Sequence, residues 1–335
     1  MLRSLWLLPI ALVIAALIPL LLGGSGVLHE LADFPIGQLA LMLGLIVVCW
    51  NLNALRLRLL LLGRAERLSQ SRAVGVVMAT EFAICATPGG SGGPLTLLGL
   101  LTRYGIRPAQ GSAIFMIDQL TDLLFFLAAL VGVALYAVVE TIDLRLGWLV
   151  GLPILLLGCG LLLLWMMLRH TSYLLRLSGV WLARLRIGRL SLNQHRRFAI
   201  VRRLLTFRRA LIETLCLPWH ILMLVFALCC GHWLLRYSVL YLAIDGLGES
   251  VDWAWTFVIQ MLAMAAGQLS FLPGGVGGVE LASSAMLVPL IGKHAAAAVL
   301  IWRFVTYYFY LLVGAPVFLA LAGRAVIRLL HRHHV

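Results

Sequence analysis

Long apolar runs alternate with short polar stretches along the chain, and the lengths of the runs define its elements. Leu5–Leu22 and the segments 37–55, 108–137, 147–168, 211–244 and 295–322 each read as a membrane-spanning helix. About 18 to 20 apolar residues suffice to cross the roughly 30 Å hydrocarbon core of a bilayer. The first run follows Arg3, as a signal peptide would follow a basic residue. Its apolar core is longer than the roughly 7 to 15 residues of such a peptide, and no small-residue cleavage site follows it. Two further apolar segments, 73–103 and 253–291, are broken midway by TPGGSGGP at 87–94 and LPGGVGGVE at 272–280. Non-helical backbone at membrane depth is tolerated only where protein buries it or where it lines a wet cavity.

The polar stretches differ in charge, and the difference orients the chain. Arg3, the group Arg56 to Arg72, Arg103 with Arg107, eleven arginines from Arg169 to Arg209, and Arg324 to Arg332 make one basic set. Glu30 with Asp33, Glu140 with Asp143, and Asp245, Glu249 and Asp252 mark the intervening acidic stretches. Positive-inside bias assigns the basic set, with both termini, to the cytoplasm. Segment 73–103 is then basic at both ends and must return to the side it left. Segment 253–291 starts in the acidic set and is followed by a helix that runs to the basic C-terminus, so it dips in from the opposite side.

The resulting fold class is an all-α integral membrane protein, an inverted repeat of two halves, each with three spanning helices and one re-entrant helical hairpin. The halves are 1–137, with hairpin 73–103, and 138–335, with the basic cytoplasmic loop 169–209 and hairpin 253–291. The loops match at five of six positions: Pro88, Gly89, Gly90, Gly92 and Gly93 against Pro273, Gly274, Gly275, Gly277 and Gly278. Glycine permits positive φ and close backbone approach, so two hairpin tips can meet. The N–H groups of the half-helices that follow would favour anionic groups there. Paired broken segments in corresponding places of inverted halves point to a transporter's substrate site.

Ionisable residues within the apolar segments are the candidate chemistry, because charge inside a bilayer is costly. Asp118 and Asp122 lie one turn apart, and Arg303 lies eight residues into the last helix. At the offset that aligns the two loops, Asp118 corresponds to Arg303, so inverted symmetry would set opposite charges across one cavity. The ten loop residues with Asp118, Asp122 and Arg303 form the candidate substrate site. Glu81 and Glu280 are candidate coupling residues, Glu280 also being placed to cap a half-helix. Arg236, late in its segment, is expected to snorkel to the external interface. His220 and His232 are isolated on apolar helices and read as packed residues. The stretch 173–190, in which apolar and arginine faces alternate, is expected on the inner leaflet.

Composition adds exclusions. Hydrophobic residues make up 62% of the chain and the net charge is +13, with mean hydropathy +1.03. The arginines orient the protein and meet anionic headgroups at the cytoplasmic face, which leaves no nucleic-acid partner. All six cysteines sit in apolar stretches without CxxC spacing, so neither a disulfide framework nor a metal site is implied. No Lys-Ser/Thr follows the glycines, which excludes a nucleotide P-loop. No cofactor is expected.

The pattern PGG-x-GG-x-E at 273–280, an alanine-rich run and then Trp302-Arg303 resemble the lysylphosphatidylglycerol synthase transmembrane-region family, also described as flippase-like. The PGGSGG loop, the R-x-x-x-R-P-A-x-x-x-A stretch from Arg103 to Ala113, and Asp118 agree with its first half. The resemblance implies a bilayer domain that moves or handles a lipid, in some members fused to a soluble aminoacyl transferase. That soluble domain is not in this sequence, so synthase activity is not carried over. DQLTD at 118–122 departs from the family in having no arginine beside its acids.

The expectation is a multi-pass protein of the bacterial inner membrane that is not an enzyme. It would translocate a lipid or lipid-linked anion between leaflets. The alternative is proton-coupled movement of a small soluble anion on the same fold. An intramembrane headgroup enzyme would need a nucleophile or metal constellation that is not evident. Membrane lipids are the expected partners, with a second copy of the chain or a separate lipid-modifying enzyme as the protein partner.

Overall fold

The computed structural model describes residues 7–23, 26–61, 68–139 and 209–332, with isolated helical positions between 155 and 207. The expected span 147–168 is therefore described at a few positions, and the basic loop 169–209, with 173–190, falls almost wholly outside the described residues. Every regular element among the described residues is helical. They are α1 Leu7–Gly23, α2 Gly26–Ala32, α3 Ile36–Leu61, α4 Gln70–Ala86, α5 Gly92–Arg103 and α6 Pro108–Val139. After the break come α7 Trp219–Asp245, α8 Trp253–Gln268, α9 Gly278–Ile291, α10 Ala295–Arg303 and α11 Phe309–Arg332. A 3₁₀ turn, Gly292–His294, joins α9 to α10, and a π-helical turn, Phe304–Tyr308, joins α10 to α11.

Four helical stretches are long and apolar enough to cross a membrane: Ile36–Leu61, Pro108–Val133, Trp219–Asp245 and Gly278–Leu321. A fifth span results if Leu12–Leu21 and Gly26–Ala32, bent by 111°, count as one. The last stretch is 44 residues long, roughly 66 Å at the 1.5 Å rise of a helix, about twice the bilayer core. Gly292, with φ 53°, divides it into a hairpin arm and a following helix. Both expected broken segments fold as helical hairpins, α4–α5 and α8–α9. The expected single segment 211–244 is a correction: helix at 209–215 stops before Pro218, and α7 begins at Trp219. Proline lacks the N–H that a continuing helix needs and keeps the preceding residue out of the helical region.

The helices divide into two compact units. One comprises the described residues of Met1–Ile106 and Ala227–Val335. In it α11 packs along α4, α3 packs against α4, and α10 packs against α1. Its core includes Met42, Ile46, Leu60, Phe257, Tyr307 and Tyr310, all nearly inaccessible. The other unit comprises the described residues of Arg107–Phe226. There Ala113, Ile114, Ile117, Phe125 and Leu130 make a buried face of α6, with Phe125 set edge-on to Phe126.

Candidate functional site

The first glycine loop is held by its own residues. Thr87 leaves α4 in an extended conformation, φ −125° and ψ 146°. Its hydroxyl donates to the carbonyl of Ala83 at 2.6 Å and accepts the N–H of Gly92 at 2.8 Å. Gly89 and Gly90 take positive φ, 58° and 68°, which turns the chain. The N–H groups of Gly90, Ser91 and Gly93 return to the carbonyls of Thr87, Pro88 and Gly90. Most of the donors at the start of α5 thus have acceptors inside the loop.

The second loop is held from outside. Glu280, fully buried, accepts the N–H of Gly277 at 2.7 Å through one oxygen and the Nε–H of Arg303 at 2.7 Å through the other. Arg303 also donates to the carbonyl of Gly274 at 3.0 Å, and its guanidinium lies 4.4 Å from the ring centroid of Tyr307. The Tyr307 hydroxyl reaches the carbonyl of Pro273 at 3.4 Å. Ser270 donates to the carbonyl of Val276 at 2.6 Å. A Cβ on Gly274 would strike the Tyr307 ring, and one on Gly275 would stand 2.9 Å from the Gly267 backbone. The π-helical turn begins one residue after Arg303, and such turns are frequent at functional sites.

The two loops touch. Pro88 and Pro273 form an isolated antiparallel β-bridge. Glu81 of α4 faces Arg236 of α7, with Oε2 3.8 Å from Nη1, and Arg236 donates to the Tyr310 hydroxyl at 2.9 Å. Arg236 therefore does not snorkel as expected. The aromatic faces of Trp233 and Tyr310, 5.7 and 4.9 Å from its carbon, with the Tyr310 hydroxyl, hold it within the helices. His232 is a packed residue, its ring 3.3 Å from the carbonyl of Cys49.

The structure thus brings together the paired loops, Glu280 and Arg303, with Glu81 tied to Arg236. Within its own unit, the carboxylate that Arg303 meets is Glu280. Asp118 and Asp122 lie in the other unit, one turn apart on α6 and each half-buried. At the half-helix ends expected to attract anions, two N–H groups already have acceptors. Thr87 occupies the N–H of Gly92, and Glu280 occupies that of Gly277. Sequence reasoning missed Thr87, Tyr307 and Tyr310. A threonine immediately before a glycine turn is a legible capping signal, whereas the two tyrosines carry none. A cavity of about 470 Å³ opens at the α7–α8 connection, lined by Tyr241, Asp245, Glu249, Asp252 and Trp253 among others. No residue of the two glycine loops lines it.

This paired-loop core lies within the stretch that compares with known proteins. The model of the lysylphosphatidylglycerol synthase TM region matches residues 6–314. The chain belongs to that family. It is also similar to a UPF0104 membrane protein of Archaeoglobus fulgidus, with 20% identity over 268 residues, covering 79% of this chain and 81% of that protein. Family and helix composition together make this a multi-pass membrane protein of the lysylphosphatidylglycerol synthase transmembrane-region type.

Proposed function

We propose that the protein is a transporter of the bacterial inner membrane, with both termini cytoplasmic, that translocates a lipid or lipid-linked anion between leaflets without chemically altering it. The Pro88–Pro273 bridge carries this reading. These two prolines occupy equivalent positions of the matching loops, and an antiparallel pair of equivalent residues has a local two-fold axis. An inverted repeat, with its pseudo-two-fold axis in the membrane plane, generates such a meeting of equivalent broken segments at a substrate site. The two hairpins are then re-entrant, and separation of their tips opens a path for a headgroup. Irregular backbone at that depth is supported by the protein packed against it. Membrane lipids are the partners, and a second copy of the chain or a lipid-modifying enzyme would act beside it.

Reconstituted proteoliposomes test this. Fluorescent anionic and zwitterionic phospholipids, followed by quencher accessibility, should change leaflet with wild type and stay with Gly275→Leu and Asp118→Asn. Cysteines at 88 and 273, in a background without the native cysteines, should arrest translocation on oxidation and release it on reduction. Phospholipid movement no faster than in empty vesicles, with or without a proton gradient, would sink the lipid reading. Saturable uptake of a small soluble anion would replace it with the alternative.

A further inference from the structure

The arginines that meet Glu280 and Glu81 are not equivalent. Arg303 is enclosed: its side chain is 3% exposed, and Glu280, the Gly274 carbonyl and the Tyr307 ring take up its Nε, its Nη2 and its face. Arg236 and Glu81 are 14% and 16% exposed, and their closest approach of 3.8 Å is an ion pair too long for a hydrogen bond. A guanidinium offers five N–H donors in a fixed fork. Nη1 of Arg236 serves Tyr310, and the fork matches the oxygens of a phosphate, which it binds bidentately.

Two further donors stand in the same aromatic group. The Tyr310 hydroxyl, having accepted from Arg236, keeps its own proton to give. Trp50 lies edge-on to Tyr310 with ring centroids 5.3 Å apart, and it stacks on Phe309 at 5.5 Å. Trp50 is 2% exposed, and among the described residues its Nε1–H has no acceptor. A buried donor without an acceptor is costly, and this one belongs to the residue packed against Tyr310. The loops offer less, since their turn N–H groups are largely returned to loop carbonyls, Thr87 and Glu280.

We infer that Arg236, with Tyr310 and Trp50, forms a phosphate-binding site, and that Glu81 is the carboxylate the phosphate displaces. This rests on the transporter reading and narrows it to a cargo bearing a phosphate group. Glu81 lies on α4 less than two turns before the PGGSGG loop. Freeing it from Arg236 removes one tie between the first hairpin and α7 at the moment cargo arrives. The second hairpin keeps its own ion pair throughout.

The test uses the full chain in nanodiscs of zwitterionic lipid, titrated with dodecyl phosphate, inorganic phosphate or dodecyltrimethylammonium. The readout is the shift in thermal unfolding. Wild type should be stabilised saturably by dodecyl phosphate and not by the ammonium. Glu81→Gln should bind about tenfold tighter, since a competing negative charge a few ångströms away is gone. Arg236→Gln should lose binding, and so should the charge-neutral Glu81→Gln/Arg236→Gln, which leaves no unpaired charge to unfold the protein. The same order of variants with inorganic phosphate would support the site and assign it to free phosphate. Absence of binding to wild type and Glu81→Gln, a Glu81→Gln no tighter than wild type, or a double variant that binds like wild type would each overturn the inference. Phospholipid translocation separates the two proposals. Binding with this order but no lipid movement leaves the site standing and removes the lipid cargo. Lipid movement that Arg236→Gln supports as well as wild type removes the site and leaves the transporter.

Discussion

The two glycine loops share five of six residues and are held in different ways. The first is closed by its own chain: Thr87 caps the turn, and Gly89 and Ser91 are exposed. The second is closed by a neighbour: Arg303, Glu280 and Tyr307 fasten it to α10 and the π-helical turn, with Pro273 and Val276 buried. At the loop-aligning offset, Glu280 corresponds to Leu95, which is 73% exposed, and Arg303 to Asp118. Equivalent backbone turns have thus been given to different partners. The first hairpin meets α7 through Glu81 and Arg236 at 3.8 Å, whereas the second is clamped by the 2.7 Å bond of Glu280 to Arg303.

If that contrast is right, perturbing the second loop should cost more than perturbing the first. The largest loss is expected from Arg303→Gln, about 3–5 kcal/mol, because Glu280 is left as an uncompensated buried charge. Chemical unfolding in detergent checks it. Replacing both Glu280 and Arg303 by methionine should do less harm than either single change, since removing a buried pair whole is often nearly neutral. A single variant as stable as wild type would show that the second loop is not clamped.

Gly274→Ala comes next, with about 2–4 kcal/mol from a strained positive φ and a collision with the Tyr307 ring. Its thermal midpoint should fall well below that of Gly89→Ala. The latter meets no atom within 4 Å and should cost only the left-handed backbone penalty of about 1–2 kcal/mol. Equal midpoints for the two variants would erase the distinction between the loops. Thr87→Val, which loses the hydroxyl to Ala83 and Gly92, should have the smallest effect, about 1 kcal/mol in line with other lost caps. Hydrogen exchange should find faster amides at 89–93 and unchanged ones at 274–278. Faster exchange in both loops would mean that the tips are coupled more tightly than their separate supports imply.

Part of this site was legible beforehand. The paired loops are local in sequence, since glycines that allow positive φ and prolines that end helices act on their own backbone. Glu280 as a cap was equally local, three residues from the N–H it accepts. The partners of the buried arginines were not legible. Arg236 meets Glu81 across 155 positions and Tyr310 across 74, and sequence reading sent Arg236 to the interface because polar ends of long helices usually lie there. The opposite charges at Asp118 and Arg303 suggested one shared cavity by symmetry. The matching stretches carry Glu280 in one place and Leu95 in the other, so the likeness of the loops does not extend to charge.

The sequence alone determined the class: an apolar, all-helical, multi-pass chain with two helix-breaking loops. Each of these features depends on residues near one another in the chain and on the cost of exposing backbone to lipid. Only the tertiary structure decided that Pro88 meets Pro273, that Arg303 is spent on Glu280, and that Arg236 is drawn inward beside Glu81. A buried charge takes whichever counter-charge the packing of distant helices delivers. That choice is made by the fold as a whole, and no local pattern records it.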